Sequence, residues 1–372
     1  MKILAFYLPQ FHQIPENDKW WGTGFTEWTN VKSAKPNFNG HNMPRVPLDN
    51  NYYNLLDSNT QKWQAQLAKE YGIYGFVYYH YWYEEGMLLH KPAEIMLNHP
   101  EVDLPFCFCW ANHHWTKAWV NKSNTILRKQ TYGDENEWRK HFNYLLPFFK
   151  DKRYIKIDNK PLLIIYLTSI PCFNEMHKCW EVLAKENGFD GLYILNQQNI
   201  GTEISDSTRG GLYDGGIEYQ PGRAMNEFRD KHNVSFQATR LMSHVGDVFP
   251  AIRGKWTTMH YDFDKLWKLI LNEDPIDVYS FPGAFVDYDN TPRRKNRSTV
   301  VIGSNPDKFE SYLSKQIARA RDIYNKDYLF LFAWNEWGES GYLEPDKKFG
   351  YGNLEAIKRA LEENNEFPQW DK

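Results

Sequence analysis

The stretch YLFLFAWNEWGESGYLEPD occupies residues 328–346. It opens with an unbroken apolar run of strand type, Tyr328 to Ala333, which lacks the alternation of a strand with one face in water. Continuous runs of this kind belong to strands covered on both faces, as in a parallel sheet. The run then breaks into Trp334-Asn335-Glu336-Trp337-Gly338-Glu339. Two carboxylates, three residues apart and framed by tryptophans, thus stand at the end of a buried strand.

Seven further runs share the character of the first half, giving candidate strands over 3–8, 75–81, 104–110, 162–167, 192–196, 214–219, 278–286 and 328–334. Helix-type segments fall between most of them, at 60–71, 91–97, 135–149, 174–188, 263–271 and 306–324, with a last one at 354–364. Gly72 is placed to stop the first, and Asn305-Pro306 to cap and open the sixth. Strand and helix alternating eight times predict an α/β fold, a single (β/α)8 TIM-type barrel spanning residues 1–372. An open doubly wound sheet would alternate too, but no glycine-rich phosphate loop follows the first strand. The stretches 9–59 and 221–262 read as long irregular loops on the C-terminal face.

The bulk properties narrow the function. A formal net charge of −3 over 372 residues gives no basic footprint for nucleic acid. The four cysteines, Cys107, Cys109, Cys172 and Cys179, form no CxxC pair and suit neither a zinc site nor a disulfide framework. The N-terminal MKILAFYLPQFHQ has too short an apolar run for a signal peptide or a membrane span. A cytoplasmic protein without a transmembrane segment is expected. Aromatic residues make up 17% of the chain, many beside polar residues, which suits a site for ring-shaped amphipathic ligands such as sugars. An aromatic-rich core would leave the same composition.

Polar and aromatic residues gather after nearly every strand, and in a barrel those ends converge on one face. The first strand ends in Tyr7 and His12, the second in His80 and Trp82, the third in Trp110, Asn112 and His113. Gln197 follows the fifth, Glu218 and Tyr219 the sixth, Asp287 the seventh, and Asn335 and Trp337 flank the carboxylates of the eighth. Trp28, in the first long loop, could stack on a sugar or pack beneath the loop. All of these are candidate substrate-binding positions. Glycosidic-bond chemistry needs one carboxylic acid to protonate the leaving oxygen and a second carboxylate as base or nucleophile, roles open to Glu336 and Glu339.

His80, His113 and His114 raise the question of a metal, but no HExxH spacing occurs, and neither metal nor cofactor is expected. Asp287-Tyr288-Asp289 is a DxD, the pattern that holds a cation against diphosphate in many nucleotide-sugar transferases. It serves equally well to bind sugar hydroxyls or to hold Arg293 and Arg294.

Five motifs, AFYLPQFHQIPENDKWWGTGFTEWTNV, GFVYYHYWY, CWANHHWT, FPGAFVDYDNTPRR and FAWNEWGESGYLEPD, resemble those of the WbsX-type family. That family is described as polysaccharide-biosynthesis glycosyltransferases and is related to the endo-α-mannosidases of glycoside hydrolase family 99. The likeness to the hydrolases rests on the fold and on Glu336-Trp337-Gly338-Glu339. It implies Glu339 as general acid/base and Glu336 as the base for the sugar 2-hydroxyl, in a retaining reaction through a 1,2-anhydro sugar. The chain departs from the pattern at His113, where an acidic residue usually follows Trp-Ala-Asn, and at Ser340, where glycine is common. Three functions follow: a hydrolase-like enzyme on an α-linked mannose-type glycan, a glycosyltransferase of surface-polysaccharide assembly, or a non-catalytic carbohydrate binder. An oligosaccharide or polysaccharide is the expected partner in each.

Overall fold

A computed structural model describes residues 1–117, 125–198, 212–231 and 257–370, with the single positions 237, 239 and 241. All eight apolar runs are strands: β1 (Lys2–Tyr7), β2 (Ile73–His80), β3 (Phe106–Trp110), β4 (Lys160–Ile165), β5 (Tyr193–Gln198), β6 (Gly215–Glu218), the pair β7 (Ser280–Phe281) and β8 (Gly283–Phe285), and β9 (Tyr328–Phe332). Every ladder between them is parallel, in the order β7-β6-β5-β4-β3-β2-β1-β9-β8.

β7 and β8 are one run interrupted at Pro282, which has no N–H to give to a ladder. The first half pairs with β6 through Ser280↔Gly216 and Phe281↔Ile217, and the second pairs with β9 through Gly283↔Phe330 and Phe285↔Phe332. One strand thereby joins both edges of the sheet and closes the barrel. The seam is tight, because a Cβ on Gly283 would lie 2.0 Å from the Glu218 carbonyl oxygen.

The helices run α1 (Pro15–Trp21), α2 (Glu27–Ser33), α3 (Ser58–Glu70), α4 (Lys91–Asn98), α5 (Glu135–Lys150), α6 (Phe173–Glu186), α7 (Gly222–Lys231), α8 (Phe263–Asn272), α9 (Thr291–Arg294), α10 (Pro306–Asp322) and α11 (Gly352–Glu363). The predicted caps are in place. Asn305 accepts from the Lys308 N–H at 2.9 Å, and Gly72, at φ +87°, takes the left-handed turn after α3.

Two expectations need correction. The stretch 9–59 is not wholly irregular, since it carries α1 and α2, and 221–262 begins with α7. The remainder of the second stretch lies largely outside the described residues. The first two helices are seven residues each and rich in Trp, Asn and Thr, too short and too weak in propensity to show in a sequence. Packing holds α2: Trp28 is buried against Phe11 and Trp337, with ring centroids 4.5 and 5.5 Å away.

The core has two parts. One fills the barrel; the other lies between sheet and helices, where α5 and α6 set Phe142, Phe148, Phe149 and Trp180 against β3.

Candidate active site

Side chains along a strand point alternately to its two faces, so neighbours at a strand end can serve different compartments. Phe6, Tyr79, Tyr219 and Phe332 face the barrel interior: Phe6 lies 5.5 Å from Tyr79 and 5.2 Å from Tyr219, and Tyr219 lies 5.8 Å from Phe332. The Tyr79 and Tyr219 hydroxyls meet at 3.2 Å, with the Tyr166 ring 6.4 Å from that of Tyr79. Tyr288 closes the ring of aromatics, 6.0 Å from Phe332.

Glu336 and Glu339 hang over this floor. After β9 the chain turns through a short 3-10 turn, Trp337–Glu339, and leaves it at Ser340 with φ +56°. Arg293, at the end of α9, reaches three carboxylates with one guanidinium. Its Nε lies 2.8 Å from Glu27 Oε1, its Nη2 2.8 Å from Glu336 Oε1 and its Nη1 3.1 Å from Glu339 Oε1. The side chain of Glu336 is 7% exposed and that of Glu339 26%, so the second is the one open to a ligand.

Burial pushes the Glu336 carboxyl up to about 8; Arg293 opposes the rise, and the charges of Glu339 and Glu27 add to it. Tyr81, Tyr166, Tyr219 and Tyr288 are raised by burial first, and each also feels the Glu336 charge, which places all four around the pair.

A second tier of polar contacts fixes the turn. Asn335 Oδ1 accepts from the Leu8 N–H at 2.7 Å and its Nδ2 donates to the Leu8 carbonyl at 3.1 Å, tying the last strand end to the first. Trp337 stacks on Tyr342 at 3.6 Å and donates Nε1–H to Glu344 Oε2 at 2.7 Å. Glu344 also accepts from Tyr53 and Gln64, at 2.7 and 2.6 Å. The Asp289 N–H donates to the Glu339 carbonyl at 2.7 Å.

The aspartates of the DxD are held within this framework. Asp287 meets Arg45 at 2.9 Å, and Asp289 meets His41 at 2.6 Å and accepts from the Thr291 N–H at 3.0 Å. Of the three uses open to this motif, the structure shows loop-holding, though through Arg45 and His41 and not through Arg293 and Arg294. Among the described residues no three of His, Cys, Asp and Glu gather as metal ligands would.

The other expected residues divide by face. Tyr219 and Gln197 point inward, Gln197 Oε1 lying 3.5 Å from Cys109 Sγ. His113 lies beside the site, its ring 5.3 Å from Tyr166. Asn112 bridges two loops, exchanging hydrogen bonds of 2.7 and 2.8 Å with the Leu167 backbone. His12 is buried next to the Pro9 carbonyl and His90. Trp28 packs under its loop, donating to the Tyr53 carbonyl at 2.8 Å.

Five expected positions point away from the carboxylates, toward the helices. Tyr7 donates to Gln64 of α3 at 2.7 Å, and His80 meets His141 of α5 at 2.9 Å. Trp82 stacks on His141 at 4.6 Å, and Trp110 packs on His141 and Trp180. Glu218 accepts from Tyr324 at 2.9 Å, just beyond α10. In each case the neighbour one residue along, or on the next strand end, takes the inward place. Sequence reasoning passed over Tyr79, Tyr81, Tyr166, Tyr288, Arg293 and Glu27. The available signal was a period of two along YYHYWY, with Tyr79 and Tyr81 on one face and Tyr78, His80 and Trp82 on the other.

The family model described as Glycosyltransferase WbsX matches residues 3–357, and the chain belongs to that family. A relative from Xanthomonas campestris pv. campestris (strain B100), "Uncharacterized protein WxcX", is 31% identical over 365 residues, which cover 96% of this chain and 49% of the relative. The chain thus spans about half the length of the curated relatives it matches. Among solved structures, the GH99 endo-alpha-mannosidase from Bacteroides thetaiotaomicron superposes with a TM-score of 0.53 at 12% identity, over 98% of this chain and 97% of that one. A protein described as "Glycoside hydrolase-like protein" gives 0.57 at 13% identity, over 99% and 94%. At such identities the likeness is one of fold, and it matches the (β/α)8 barrel.

Proposed function

We propose that the chain is a glycosidic-bond enzyme, a single catalytic unit over 1–372, acting on an α-linked mannose-type glycan with retention. The observation that carries this reading is the pair Glu336 and Glu339, both within 3.1 Å of one guanidinium, above a tyrosine-lined barrel floor. In the reaction, Glu336 removes the proton of the sugar 2-hydroxyl as O2 attacks C1. The C1–O bond breaks, and Glu339 protonates the departing oxygen. Water, deprotonated by Glu339, then opens the 1,2-anhydro sugar, and Glu336 returns its proton to O2. A carboxylate raised as Glu336 is has the basicity to take part in that hydroxyl transfer. The Bacteroides fold relative, an endo-alpha-mannosidase, supports the choice of sugar. His113, beside Tyr166, and the inward-facing Tyr219 and Gln197 are the proposed sugar contacts.

The description of the family supports a second reading, a transferase in polysaccharide assembly. A cytoplasmic, lipid-linked repeat unit is a substrate that suits both. No helix among the described residues is long and apolar enough to cross a membrane. Incubation with α-manno-oligosaccharides, comparing wild type with Glu336→Gln and Glu339→Gln, tests the hydrolase. Cleavage by wild type alone, with all three equally stable to heat, is the expected result. Stabilisation by a nucleotide-sugar without any cleavage selects the transferase.

A further inference from the structure

We infer that Arg293, braced by Glu27 and Gly338, is a positioning residue that orients the Glu336 and Glu339 carboxylates and sets their charge balance. The inference rests on the reading of those two glutamates as the reacting pair.

A guanidinium is a planar fork whose N–H groups point in fixed directions, so three acceptors around it hold one another in place. Here Nε donates a hydrogen bond to Glu27 from behind, while Nη2 and Nη1 hold Glu336 and Glu339 as ion pairs at 2.8 and 3.1 Å. The brace is unusual in its composition. Glu27 is fully buried, and its Oε2 accepts no hydrogen bond among the described residues. A second buried carboxylate is costly beside a pair that already repel, and it neutralises part of the guanidinium's charge. Structure alone would be served by a neutral glutamine. A glutamate makes chemical sense if the effect of Arg293 on Glu336 has to be limited, leaving Glu336 basic.

Gly338 completes the brace. It lies between Glu336 and Glu339, and a Cβ there would stand 2.1 Å from Glu27 Oε1 and 2.6 Å from Arg293 Nε. Any side chain at 338 pushes the guanidinium out of line with both carboxylates, so the glycine of Glu-Trp-Gly-Glu is required by the brace and not by its own backbone angles.

The charged groups facing Glu336 are Arg293 from α9, Glu27 from α2 and Glu339 from its own turn. The titratable ones are Tyr81, Tyr166, Tyr219 and Tyr288 from the strand ends. Removing one charge at a time gives opposite signs. Glu27→Gln keeps the hydrogen bond to Arg293 and deletes a negative charge, so the Glu336 midpoint falls. Arg293→Gln deletes the positive charge, so it rises.

The test is a substrate-free pH titration of protein labelled with 13C at the glutamate carboxyl carbon, followed by NMR. The Glu336 signal is assigned by its loss in Glu336→Gln. We expect shifts of roughly one pH unit or more, down for Glu27→Gln and up for Arg293→Gln. Gly338→Ala should move the midpoint as well, with the backbone fold intact by circular dichroism. A folded Glu27→Gln protein whose Glu336 midpoint is unmoved or raised overturns the inference, whether or not Arg293→Gln folds. No substrate enters the measurement, so its outcome is separate from that of the glycan-cleavage assay.

Discussion

Two aromatic layers meet at the strands of this barrel. One faces inward and holds Tyr79, Tyr166, Tyr219 and Tyr288 under a pair of glutamates. The other lies behind the sheet and holds Tyr7, Tyr78, His80, Trp82 and Trp110 against α3 and α5. Both use the same residue types, often one position apart on the same strand. In the inner layer the hydroxyls surround charge, including a carboxylate that burial raises. In the outer layer Tyr7, His80 and Trp82 meet helix side chains, and Trp110 donates to the Trp82 carbonyl. Residue type alone therefore does not separate a site from a core; the face of the strand does.

The comparison can be broken at several points. The largest effect is expected in the inner layer, where Glu336→Gln and Glu339→Gln should each lower turnover by about 10²–10⁴-fold, read by oligosaccharide cleavage, with the melting temperature held. The pH–rate profile of the wild type should then show an acid limb near 8, activity rising as Glu336 loses its proton. The outer layer should respond the other way: Trp110→Ala should cost ~3–5 kcal/mol of stability in denaturant unfolding, without altering that acid limb.

The histidines behind the sheet give a gentler test. Burial lowers His80 to about 3 from its ordinary 6.5, so it stays neutral in the folded chain while the unfolded chain takes up a proton. Its stabilising contribution is present above pH 6.5 and is lost as pH falls from there toward 3. The loss is at most ~1.4 kcal/mol per pH unit for each such group. Unfolding midpoints measured across that window should flatten in His80→Gln. The smallest change is Tyr219→Phe, which removes one hydroxyl contact to Tyr79 and should cost about 1 kcal/mol.

Much of the fold was legible because a parallel barrel buries both faces of its strands, and such strands read as continuous apolar runs. All eight were placed within a few residues, β1 and β9 among them. The same property hides the site. When both faces are buried, the pattern GFVYYHYWY carries no mark saying which tyrosine looks inward. The carboxylate pair could be read because it is contiguous. Its third partner could not, since Glu27 and Arg293 stand 266 residues apart and meet only in the closed barrel. Glu344, two residues from the end of the opening motif, was passed over as well. Its role as an acceptor for Trp337, Tyr53 and Gln64 depends on neighbours from three separate loops and helices.

The closure of the sheet also has a consequence in time. β1 is paired on one side by β2 and on the other by β9, with Lys2 opposite Tyr328. During synthesis the second edge of β1 waits for a partner made some 320 residues later, a delay of tens of seconds at ordinary translation rates. The nascent chain therefore carries an open strand edge through most of its production. The glutamate pair, just beyond β9, gains its floor of tyrosines only when that edge is finally covered.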